Sequence, residues 1–347
     1  MDDDDGDGAR CRACRTRLRV LLSARAGVRR RGAWHVWHTA GLIVGVLLGL
    51  AGLSRLAVPV EQPAGQPSGV WQVLPTNDFI SPLGAAADRQ GNLYIVDAAN
   101  HRIAKLAPDG TKLGSFGMRG SGPGQFERPS GIAIDEAGDL YVADTANSRI
   151  QELSTTGVPL GVWGGPGNGP GQFTGPRGVA VDREGNVYVA DTGNDRVQKL
   201  GPLGQVIGVW GHSGAGPGEF RQPYGVTVDA DGAVYVADHW NNRIQKLSPT
   251  GQPLAQWGWF GSGLGQFNNP RTVVVDSHGD IYVADSYNHR IQKLGPSGLP
   301  LAEWGGRGGE AGQFRRPEGL VVDDAGGLVV VDADNDRIQR YTPSAAR

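Results

Sequence analysis

Aspartate, asparagine and arginine recur together in this chain, and a carboxylate beside a guanidinium can serve acid–base or electrostatic catalysis. Asp97, Asp144, Asp191, Asp238, Asp285 and Asp332 are each followed three residues later by Asn and five residues later by Arg. The arginines, Arg102, Arg149, Arg196, Arg243, Arg290 and Arg337, stand 47 residues apart. Six identical copies argue against an active site, which needs asymmetry, and for a turn that every copy must make. Asp and Asn suit such turns through side-chain-to-backbone bonds, and the Arg can satisfy the Asp. No catalytic residue is assigned.

What varies at the same period is more informative. One residue follows each recurrent Pro: Leu83, Ser130, Arg177, Tyr224, Arg271 and Glu318. A second variable pair follows each recurrent Asp, including His239–Trp240 and Ser286–Tyr287. Arg177, Tyr224, His239, Trp240, Arg271, Tyr287 and Glu318 are therefore the candidate ligand-binding residues. Two Arg with several aromatics suit recognition of a carboxylate, peptide or glycan. No metal site is assigned. Cys11-x-x-Cys14 is followed by His35-x-x-His38 only after a gap of 20 residues, which departs from zinc-finger spacing. The segments GMRGSGPGQF, GGPGNGPGQF and GHSGAGPGEF have the glycines of a phosphate loop. They recur between strands with Pro inside them, however, and no helix follows, so no nucleotide or other cofactor is expected.

These residues need elements that bring six copies to one place. A period of 40 to 50 residues marks a repeated supersecondary unit. One copy, SGIAIDEAGDLYVADTANSRIQELSTTGVPLGVWG, parses into four short strands separated by Gly, Asn and Thr turns. Tyr141 and Ala143 face one way and Val142 the other. Four antiparallel strands repeated six times bury their faces by packing around an axis, which predicts an all-β, six-bladed β-propeller. The variable residue after each Pro would then line one mouth of the central channel.

The outer-strand aromatic falls 14 residues after each Arg, at Phe116, Trp163, Trp210, Trp257 and Trp304. The sixth would lie at position 351, beyond a chain of 347 residues, whereas Trp71 in GVWQ precedes the first copy. Residues 69–74 are expected to supply the outer strand of the last blade. The propeller then covers residues 69–347, preceded by a linker over 61–68.

Residues 1–60 have another character. They carry ten Arg against five Asp, net +5, whereas residues 61–347 carry 23 Lys and Arg against 30 acids, net −7. An acidic domain is a poor partner for a phosphate backbone, so no nucleic acid is expected. Nine arginines precede an apolar run from Ala40 to Leu53, with Trp34 and Trp37 at its start. Residues 36–60, with Arg55 snorkelling, are long enough to cross a bilayer as one uncleaved signal anchor. The positive-inside bias would leave residues 1–35 as a cytoplasmic tail and the propeller outside the cytoplasm.

The repeated YVAD-x-x-Asn-x-Arg-Ile-Gln pattern, with GPGQF-x-x-Pro-x-Gly-Val-Ala-Val-Asp between copies, resembles the NHL repeat family over about residues 69–341. The resemblance implies a six-bladed propeller and leaves function open. Relatives include ubiquitin-ligase and translational-regulator proteins, extracytoplasmic sensor domains and a peptide-amidating lyase. In that lyase the zinc-binding histidines occupy the position after the recurrent Pro in some repeats. Here none of the six is His. The expectation is a membrane-tethered, extracytoplasmic module that binds a protein, peptide or polysaccharide. The alternative is a divergent metal-dependent lyase or hydrolase using the channel.

Overall fold

The computed structural model describes residues 67–344 except Asn77 and Asp324. The tail, the membrane anchor and most of the linker read from residues 1–66 lie outside the described residues. Six four-stranded antiparallel sheets follow one another around a central channel as six blades. Blade 4 shows the plan. Its inner strand is Pro223–Val228, followed by Val234–Asp238, Arg243–Leu247 and the outer strand Pro253–Trp257. A single 3-10 turn, His239–Asn241, joins its second and third strands.

The sheets stack face to face, so the second strand of every blade is covered on both sides. LYIVD, LYVAD, VYVAD, VYVAD, IYVAD and LVVVD are buried at all five positions. The alternation at Tyr141, Val142 and Ala143 therefore does not divide core from solvent. It divides the contacts made with one neighbouring blade from those made with the other. Between blades, Phe126, Phe173, Phe220, Phe267 and Phe314 from the repeated loops are fully buried and plug five of the six junctions, and Phe79, 4 % exposed, takes the equivalent place at the sixth.

Blade 6 takes its outer strand from the other end of the chain. Gly69–Val73 pairs antiparallel with Arg337–Pro343, placing Trp71 opposite Tyr341. The Trp71 ring lies 5.2 Å from both Phe314 and Tyr341. Leu74 continues the attachment, its N–H donating a hydrogen bond to the Ile338 carbonyl (2.9 Å). Closure in this way leaves the ring without a free blade edge at the seam.

The recurrent charges are structural. Asp191 is fully buried, and its Oδ2 accepts from Arg196 Nε (2.7 Å), Asn194 Nδ2 (2.9 Å) and Gln198 Nε2 (3.0 Å). Arg196 in turn donates to the carbonyls of Asn168, Gly169 and Gln172 in the loop that enters its blade. The Asp does not cap its own turn, as the turn residues alone suggested. Its Oδ1 instead accepts the Thr174 amide (2.8 Å), 17 residues earlier. Each Asp thus ties a loop to the blade it precedes, which is why all six copies need it.

Candidate functional site

The residue before each recurrent Pro adopts a left-handed backbone, with φ from +47° to +55° at Ser81, Arg128, Gly175, Gln222, Asn269 and Arg316. That turn aims the following strand at the axis. Five junctions catch its amide with a side chain of the preceding blade. The acceptors are Asp336 Oδ1 for Ser81 (2.7 Å), His101 Nδ1 for Arg128 (3.0 Å), Asp195 Oδ1 for Gln222 (2.7 Å), Asn242 Oδ1 for Asn269 (2.8 Å) and His289 Nδ1 for Arg316 (3.1 Å). Leu83, Ser130, Arg177, Tyr224, Arg271 and Glu318 consequently converge on one mouth of the channel, around a cavity of about 60 Å³.

The mouth is asymmetric. Glu318 is 6 % exposed and forms an ion pair with Arg271, and Arg316 Nε approaches its Oε1 at 3.2 Å. Arg316 also pairs with Asp334 (2.9 Å). Burial pushes the Glu318 carboxyl up, against the pull of Arg271 and Arg316. Tyr224 sits under both other guanidinium groups, 4.4 Å from Arg177 and 4.9 Å from Arg271. Arg271 also lies 5.8 Å from the Tyr287 ring. Among the described residues, the Arg177 side chain makes no ion pair or hydrogen bond.

His239 lies beneath this ring, buried and stacked on Tyr224 with centroids 4.3 Å apart. Its Nδ1 bonds the Pro270 carbonyl of blade 5 (3.2 Å), and its Nε2 faces Asn269 Nδ2 (3.3 Å). Those partners fit a neutral imidazole that donates from Nδ1 and accepts at Nε2. Burial and the nearby Arg271 push its pKa down to about 4. The same position carries Thr145, Thr192 and Ser286, whose hydroxyls donate to the Pro176, Pro223 and Pro317 carbonyls. His239 is thus a clamp between blades and a support for Tyr224. Both its nitrogens are occupied, so it has none to offer a ligand.

Trp240 and Tyr287, in contrast, are 57 % and 49 % exposed. Two further aromatics join them: Trp259 at 60 % and Phe260 at 68 %, in the loop from blade 4 to blade 5. Register puts Trp240 and Tyr287 on the face that carries the mouth, because Pro223 pairs with Asp238 just before the Trp240 turn and Thr272 with Ala284 just before the Tyr287 turn. Asn288 Nδ2 ties the Tyr287 turn to this loop through the Gly261 carbonyl (2.8 Å). These are all the exposed aromatics among the described residues. Trp259 and Phe260 lie outside the Pro and Asp columns of the 47-residue period, in a third variable column, that of the loop. In the loop column the other copies read Met118–Arg119, Gly165–Pro166, His212–Ser213 and Gly306–Arg307.

Below the mouth the channel wall is glycine and aliphatic. Gly84, Gly131, Gly178, Gly225 and Gly319 hold one position, where an added Cβ would collide with the carbonyl of the next blade's ring residue. Blade 5 alone places a side chain there, Thr272, which lines both the mouth and a cavity of about 210 Å³ below it. The opposite mouth holds about 670 Å³ among the turns at Asp88, Asp135, Asp182 and Asp229. These carboxylates already accept their own turn amides and the hydroxyls of Tyr94, Tyr141, Tyr188 and Tyr235. Among the described residues, no group of three His, Cys, Asp or Glu is placed to hold a metal ion.

The NHL repeat model matches this chain six times, at residues 79–106, 126–153, 173–200, 220–247, 267–294 and 314–341. No curated protein matches the sequence. Solved structures share the fold at low identity. A streptogramin B lyase superposes with a TM-score of 0.58 at 15 % identity, over 80 % of this chain and 98 % of that one. A catalytically inactive virginiamycin B lyase from Staphylococcus aureus with quinupristin gives 0.56 at 15 %, over 80 % and 100 %. A gluconolactonase from Xanthomonas campestris gives 0.60 at 15 %, over 80 % and 90 %.

Proposed function

This chain belongs to the NHL repeat family, and from that premise we propose that its propeller is a binding module for a protein, peptide or glycan ligand, held at a membrane. The observation that carries this reading is the segregation of binding chemistry to one face. Every exposed aromatic among the described residues, Trp240, Trp259, Phe260 and Tyr287, lies there in blades 4 and 5 or the loop between them. Arg177, without an acid partner, lies at the mouth on the same face. Aromatics and Arg anchor interfaces out of proportion to their number. The tether rests on residues 36–60 and the nine arginines before them, which favour a cytoplasmic N-terminus and a propeller outside the cytoplasm. Among the described residues, no helix is long and apolar enough to cross a membrane.

The test is retention of ligand from envelope extracts by the wild type and by a triple variant, Arg177→Ala, Trp240→Ala and Phe260→Ala. The expected result is a loss of at least about tenfold in the captured material, since three such truncations remove several kcal/mol. Melting should be unchanged, because none of the three is a clamp between blades. Equal capture by both proteins would overturn the reading.

A second reading, a lyase or hydrolase working at the channel mouth, is favoured by Glu318. A buried carboxyl pushed up in pKa beside guanidinium groups is a common feature of active sites. The lyase and gluconolactonase folds are compatible with it. Its metal-dependent form requires stoichiometric zinc, or another transition metal, in the purified full-length protein.

A further inference from the structure

We propose that the channel mouth captures the free C-terminal carboxylate of a peptide, end-on, through Arg177, with the Thr272 hydroxyl as a second donor; this rests on the ligand face assigned above. The mouth holds three guanidinium groups, Arg177, Arg271 and Arg316, against two carboxylates, Glu318 and Asp334. Arg271 and Arg316 are already committed to those two acids. Arg177 is the cation left over, and it makes the mouth locally positive in a region whose net charge is −7, from 23 basic and 30 acidic residues.

Its position is fixed without using its donors. The guanidinium lies over the Tyr224 ring at 4.4 Å, and Tyr224 is itself stacked against buried His239 at 4.3 Å. Stacking leaves the planar N–H fork free, and that fork matches a carboxylate in two parallel hydrogen bonds. Little side-chain entropy remains to be lost on binding.

Size and the broken period point the same way. The mouth is small, about 60 Å³, and fits an end group such as a carboxylate. Five blades keep glycine at the next position because their inner strands crowd the neighbouring carbonyl. Blade 5 has Thr272, so the strands of blades 5 and 6 stand far enough apart to take a Cβ. Its hydroxyl has no protein hydrogen bond among the described residues, and Thr272 lines the same cavity as Arg177. Outside the mouth, Tyr287, Trp240 and Phe260 offer apolar surface to the residues before the terminus. A polyanion would be repelled by the acidic domain, whereas one terminal carboxylate on a neutral or basic peptide is not.

The experiment uses the full chain in detergent and a randomised pool of N-acetylated pentapeptides, prepared once as free acids and once as C-terminal amides. Retained peptides are quantified by mass spectrometry. Free acids should be retained at least about tenfold better than the matching amides, the scale of one charge-assisted bidentate contact. Arg177→Gln should erase that preference. Thr272→Gly, which restores the residue the other blades carry, should reduce it severalfold while the protein still melts cooperatively. Equal retention of acids and amides overturns the proposal, as does a preference that survives in Arg177→Gln. If Trp240→Ala then lowers retention of both pools, the ligand face stands and only the carboxylate assignment fails. Retention of a glucuronate oligosaccharide with no peptide retained overturns the peptide class and leaves the face in place. Retention of neither by the wild type overturns the carboxylate capture outright.

Discussion

His239 stands where blades 2 and 3 have threonine, and its environment makes it acid-sensitive. The folded protein holds its pKa at about 4, below the ordinary 6.5, because burial and Arg271 disfavour the cation. The unfolded chain therefore takes up the proton first as pH falls. The contribution to stability is complete above pH 6.5 and is lost as pH drops toward 4. At about 1.4 kcal/mol per pH unit, this amounts to roughly 3 kcal/mol across the window. His239→Thr supplies the hydroxyl that Thr145 and Thr192 use toward the same Pro carbonyl, without a titrating group. Its melting temperature should fall less steeply between pH 6.5 and 4 than that of the wild type. Parallel slopes in thermal melts at several pH values would show that His239 is not the acid-labile clamp. Losing the stack on Tyr224 lowers the curve at every pH and leaves the slope as the readout.

Among the elements, the strand Gly69–Val73 has the largest consequence for its size. It contributes five ladder pairs, the Trp71 ring and, just beyond it, buried Leu74. Removing it exposes the edge of Arg337–Pro343 and unties blade 6 from the start of the chain. Neighbouring blades share their buried clusters, so the loss spreads around the ring. Deleting residues 66–76 should lower the melting temperature of the whole domain in a single transition. An unchanged main transition, followed by calorimetry, would show that closure does not couple the blades. Trp257 Nε1 donates to the Ser297 carbonyl of the next blade (2.9 Å), whereas its counterpart Trp304 is buried with Nε1 unpartnered among the described residues. An orphaned donor of this kind costs on the order of 1–3 kcal/mol.

At the scale of the molecule, charge divides the chain into a basic start, net +5 from ten Arg and five Asp, and an acidic remainder of −7. The proposed tether makes that division functional, since arginines stay on the side of synthesis while the acidic propeller is carried across. The full chain should sediment with membranes and resist alkaline carbonate. A chain starting at residue 61 should be released. A full-length protein extracted by carbonate alone would exclude a spanning anchor.

The 47-residue period was enough to read the six blades, because each copy carries the same turn and loop chemistry and cannot bury its sheet alone. It also identified the six residues after the prolines as one set, since equivalent positions in a closed ring meet at the axis. Three features escaped it. The buried Asp bonds an amide 17 residues away in place of its own turn, His239 points into a blade junction, and Thr272 fills a space where five blades admit only glycine. Each depends on how closely one blade approaches the next. Periodicity says which residues are equivalent, whereas packing across the junction decides which of them is a clamp, which is a floor, and which is left free at the mouth. Arg177 is set apart only there, by neighbours from blades 4, 5 and 6 that share no local sequence with it.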